Sequence, residues 1–137
     1  MDEPQKTLHE LTALLARLPG VSVASRHCTP SHIDVTLRIL AIESIGPVAY
    51  AAQGANIVLN IWSDAPGRPF SARADPALMC YSISAKNGVG ESADALDRIQ
   101  SFGVYIAWFL QGIGALGDIE ANRVLALWNG LKPSGPT

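Results

Sequence analysis

A chain of 137 residues suits one domain, long enough to bury roughly two thirds of the surface its unfolded form exposes. Only 16% of residues are charged and 48% are hydrophobic, which excludes disorder for most of the chain and predicts more apolar surface than one small domain hides, hence a homo-oligomer. A net charge of −2 without any Lys/Arg run argues against a nucleic-acid partner, because phosphate binding needs clustered cations.

The first helix is expected to begin at residue 4 or 7 and end at 18. Leu8, Leu11, Leu14, Leu15 and Leu18 form one apolar stripe, Thr7 and Glu10 have capping-box spacing, and Pro19-Gly20 stops the run. MDEPQKTLHE at the start is charged and carries no apolar run, so no leader peptide is expected, and a reducing cytoplasm with Cys28 and Cys80 as free thiols is. Seven arginines against three lysines, with abundant alanine, suit a GC-rich bacterial or phage genome.

Residues 21–25 read as a short strand and 26–32 as a polar connection. Residues 33–42 make the clearest strand, with Ile33, Val35, Leu37, Ile39 and Ala41 facing one way. Leu40 and Ile42 make the second face apolar too, which predicts a central strand covered on both sides at its far end. Val48, Tyr50 and Ala52 alternate while the alanines favour helix; a strand over 48–53, turning through 53–56 into a strand over 57–62, is the reading adopted. Residues 63–76 hold three prolines and one glycine and form the longest loop, and 78–85 the last strand.

The main helix is expected over 92–117. Leu96, Ile99, Gly103, Ile106, Leu110 and Ile113 mark one face, and Asp94, Asp97, Arg98 and Gln100 keep its first turns wet. From Phe102 onward Val104, Tyr105, Trp108 and Phe109 make it apolar all round, so it belongs in a core, a partner or a bilayer. The 19 uncharged residues 99–117 match a membrane span in length, but Gln100, Ser101, Gln111, four glycines and the absence of a basic flank favour a buried helix. Gly117-Asp118 opens a last helix that Asn129-Gly130 ends. This order predicts a single α+β domain: a mostly antiparallel 4–5-stranded sheet flanked by one N-terminal and two C-terminal helices, the first of these largely buried.

Four groups of residues carry possible chemistry. Cys28 with His27 or His32, near Asp34, could serve a thiol-dependent hydrolase or transferase, but the spacing fits no standard zinc pattern even with Cys80. Gly88 to Ala93 matches G-x-G-x-x-A, yet no parallel strand follows and Glu91 would repel a phosphate; a turn with Ser92 as cap is the simpler account. Asp64, Asp75 and Lys86 lack the acid a metal-dependent nuclease wants two residues before its lysine. Trp62, Arg68, Phe70 and Arg73 are of the types that dominate protein interfaces. Without a complete catalytic constellation, metal site or cofactor motif, the expectation is a non-catalytic protein-binding module. It would be a small self-associating accessory, structural or inhibitory protein acting through the 63–76 loop. The alternatives are the Cys28 enzyme and a membrane-anchored protein spanning via 99–117.

Overall fold

The computed structural model describes residues 3–29, 31–63, 79–86 and 95–129. Helix α1 (Glu3–Leu15) buries Leu8, Leu11, Leu14 and Leu15, the stripe that the leucine spacing predicts. It starts earlier than the capping-box reading, so Thr7 lies inside it, buried, and its hydroxyl accepts a hydrogen bond from Gln100 Nε2 at 3.0 Å. Gly20 then takes φ +68°, a left-handed conformation that favours glycine, and its carbonyl accepts the Leu40 N–H at 2.8 Å.

Four strands follow: β1 (Val21–Thr29), β2 (His32–Ile39), β3 (Val58–Ser63) and β4 (Met79–Lys86). They form an open antiparallel sheet in the order β1-β2-β4-β3. The polar connection expected over 26–32 is largely strand: β1 runs on to Thr29, which pairs with His32. As an edge strand it exposes residues 24–27 on both faces, so the apolar alternation that reveals a half-buried strand stops early. β2 is central, as expected, but it ends at Ile39. Leu40 and Ile42 are exposed, so the double covering expected at its far end is absent, and a short 3-10 turn (Ile42–Ser44) follows.

The strand adopted for 48–53 is helix α2 (Ile45–Gly54), which buries Val48, Ala51 and Ala52. Those three stand at i, i+3 and i+4, and the helical preference of alanine prevails over a short alternation that a period of two only imitates. The sheet therefore has the lower of the two strand counts expected.

One face of the sheet carries Ile33, Val35, Leu37 and Ile39 of β2 with Tyr81, Ile83 and Ala85 of β4, all buried. Against it lie α1 and the long helix α3 (Ala95–Gly112), which buries Ile99, Phe102, Val104, Ile106, Ala107 and Leu110. Gln100, expected on the wet side of α3, is also buried, because its amide reaches Thr7 of α1. The expected burial of α3 on every side after Phe102 does not hold: Tyr105 and Phe109 are half-buried and Trp108 is exposed. Among the described residues no helix is long and apolar enough to cross a membrane.

Helix α4 (Asp118–Asn129) packs the indole of Trp128, 1% exposed, directly onto Gly103 of α3. Its outer side is tied to the turn after α1 by Arg17–Glu120 at 2.6 Å and to α1 itself by a fork from Arg123 onto both carboxylate oxygens of Glu10, each 3.2 Å. The hydrogen bonds it donates to Glu10, and then the Glu10 charge, hold the Arg123 guanidinium above its ordinary pKa. Solvent screens this pair, so Arg123→Ala is expected to cost no more than about 1 kcal/mol in urea unfolding. A larger loss would mean that the arginine stem packs as well as pairs.

Candidate functional site

The face of α3 left open is aromatic. Tyr105, Trp108 and Phe109 stand at i, i+3 and i+4, so they share one side of the helix, and Pro47 and Tyr50 share the facing side of α2. Together these five side chains line a groove of about 320 Å³. Tyr50 meets Tyr105 edge-to-face, with ring centroids 6.0 Å apart and planes at 85°; Tyr105 meets Trp108 at 5.6 Å and 89°. Gly54 at the end of α2 makes this approach possible, since a Cβ there would lie 2.8 Å from the Tyr105 ring. Tyr50 is 69% exposed and Trp108 44%, so the largest rings present their area to solvent.

Among the described residues that line the groove, only the two phenols can titrate, and none carries a carboxylate, imidazole, thiol or ammonium group to move a proton or attack a substrate. What it can do is desolvate: aromatic rings bring large area, and tyrosine and tryptophan are enriched at interface positions where truncation is costly.

The cluster read from the sequence around Cys28 is divided by the pleat. Cys28 lies opposite Ile33 and packs against the core, whereas His27 lies opposite Asp34 and His32 opposite Lys86 on the other face. The thiol is thus on the far side of the sheet from both imidazoles proposed as its base. On that other face His32 Nε2 and Ser84 Oγ share a hydrogen bond of 3.0 Å, and the His27 and His32 rings meet edge-on at 6.0 Å. Asp34 stands between His27 and Ser84 in the register, but its buried Oδ1 has no hydrogen-bond partner among the described residues, so it orients neither ring through that atom. Among the described residues no group of three His, Cys, Asp or Glu side chains could hold a metal ion.

Trp62, expected at a partner surface, lies on β3 opposite Cys80 and is 41% exposed. Arg68, Phe70 and Arg73 lie outside the described residues, as do the Gly88–Ala93 motif, Asp64 and Asp75. Lys86 ends β4, and its carbonyl accepts a hydrogen bond from Arg98 of α3. The groove itself escaped the sequence reading. Pro47 in the first turn of a helix, where its missing N–H costs nothing, with Val48, Ala51 and Ala52 behind it, was the available signal. Comparison with protein-family models, with curated proteins and with solved structures finds no match.

Proposed function

We propose that this chain is a non-catalytic protein-binding module, a small self-associating accessory protein of bacterial or phage type whose partner docks in the α2–α3 groove. One observation supports this above the others: five apolar and aromatic side chains converge at the surface, with two tyrosine phenols the only acid–base groups among them. The low charge points the same way, since 16% charged residues give the surface little else with which to stay solvated. Arg68, Phe70 and Arg73 belong to the same proposal as a second arm, because they follow Trp62 along the chain. A reducing cytoplasm suits the free thiols of Cys28 and Cys80.

A photoreactive phenylalanine analogue placed at Tyr50 in the source cells tests the groove. A discrete adduct with another protein is expected, weakened about tenfold or more by Trp108→Ala, since tryptophan anchors commonly carry 2 kcal/mol or more. An adduct pattern indistinguishable from that of the same analogue at exposed Lys6, or one indifferent to Trp108→Ala, would remove the groove from the proposal.

A further inference from the structure

The two edges of the sheet are built differently. β1 carries a bulge, where the pairing shifts between Val23 and Ser25, and Arg26 on its core-facing side reaches back to Thr12 of α1 at 3.2 Å. Bulges and inward-pointing charges are the devices that keep an edge strand from pairing with another chain. β3 has none of them. Its six residues, VLNIWS, contain no charge and no proline, and its pairing with β4 is regular from Val58↔Ser84 to Ser63↔Met79. Val58, Ile61 and Trp62 are 59%, 53% and 41% exposed, so apolar area stands open on both faces of the strand. Among the described residues no strand pairs with its outer side. Backbone N–H and C=O groups along such an edge are satisfied most completely by another extended strand.

The residue pattern of β3 names that strand. We infer that two copies of this chain pair antiparallel along β3, about a two-fold axis at Asn60, into one continuous eight-stranded sheet. Because directly opposed residues share a face, this register sets Leu59 against the second copy's Ile61 on the helix-bearing side. Val58 then opposes the second copy's Trp62 on the other side, and Asn60 opposes its own counterpart, where two amides can hydrogen-bond. Each exposed apolar residue of the edge gains an apolar partner, and no charge is buried. A shift of one residue would set Leu59 against Trp62 from opposite faces and would join the helix-bearing face of one copy to the other face of its mate. This inference rests on the reading of the chain as a self-associating module and gives that association a surface distinct from the groove.

Sedimentation equilibrium of the full chain, with cysteine cross-linking, tests it. The wild type is expected at twice the chain mass, and Val58→Lys or Ile61→Lys, on opposite faces of β3, each weakens dimerisation about tenfold or more. Circular dichroism of the lysine variants verifies that they fold. Asn60→Cys is expected to form an interchain disulfide on mild oxidation, because opposed Cα atoms lie about 4.5–5.5 Å apart; Val58→Cys, four positions out of register with itself, is not. A dimer that survives both lysine changes and fails to cross-link at Asn60 overturns the edge pairing while leaving self-association standing. An open-ended series of oligomers also overturns it. A wild type that stays monomeric sinks both, and leaves the Tyr50 adduct as the separate measure of the groove.

Discussion

Gly103→Ala is expected to lower stability by about 2–3 kcal/mol, the range of a methyl group forced into a packed interior. The added Cβ would overlap the benzo ring of Trp128, with Cε3 at 2.8 Å and Cη2 at 2.9 Å. Helix propensity acts in the opposite direction, since alanine is better than glycine by up to about 1 kcal/mol, but the overlap is the larger effect. The ring that would have to give way is 1% exposed and packed directly on Gly103. Trp128→Ala alone is expected to cost about 3–5 kcal/mol. With the ring gone, Gly103→Ala should reverse sign and stabilise α3 slightly. Urea unfolding of the two single variants and the double variant measures the coupling. An alanine that costs the same in both backgrounds would show that the close approach of the two helices is not what requires glycine.

The second large effect lies where α1 gives way to β1. Gly20→Ala is expected to cost about 3 kcal/mol or more, by two additive causes. The residue sits at φ +68°, where an L side chain costs roughly 1–2 kcal/mol. The new Cβ would also stand 2.6 Å from the Ala41 amide nitrogen and 2.7 Å from the Ala41 Cβ. Backbone cannot swing aside as a long side chain can, and this backbone is held by the Leu40-to-Gly20 hydrogen bond of 2.8 Å and by the Ser44 hydroxyl donating to the Pro19 carbonyl at 2.6 Å. Adding Ala41→Gly removes the methyl contact and leaves the nitrogen, so it should restore only part of the lost stability. Full recovery in thermal unfolding would place the fault in the methyl pair and not in the turn.

These two glycines mark the limits of what the sequence shows. Pro19-Gly20 is legible as a stop because proline and glycine act on their own stretch of backbone, whatever surrounds them. Ile33 to Ile39 is legible because a half-buried strand writes its burial into every second residue, and the leucines of α1 do the same at helical spacing. Gly103 is different. It looks like one more small residue on an apolar face, and only the arrival of Trp128 from α4 gives it a purpose. β1 beyond Ser25 was hidden for a related reason: an edge exposed on both faces has no inside to write down.

The aromatic groove was illegible for a third reason. Tyr105, Trp108 and Phe109 have the composition of a core, and composition does not say which helix, if any, arrives to cover them. α2 comes close enough to supply Pro47 and Tyr50 and stops short of closing the gap. The Cys28 cluster failed in the opposite sense. It was dense in sequence, but a strand sends consecutive residues to opposite faces, so nearness along the chain separated the thiol from its imidazoles.

The same alternation fixes the oxidation chemistry open to the folded chain. Cys28 points toward the helices and Cys80, opposite Trp62, points away from them, with the thickness of the sheet between the two sulfur atoms. No rotamer change brings them into bonding range, so an internal disulfide can form only in a molecule whose strands have come apart. On a non-reducing gel, the faster-migrating looped species would therefore count the molecules that have at some time unfolded.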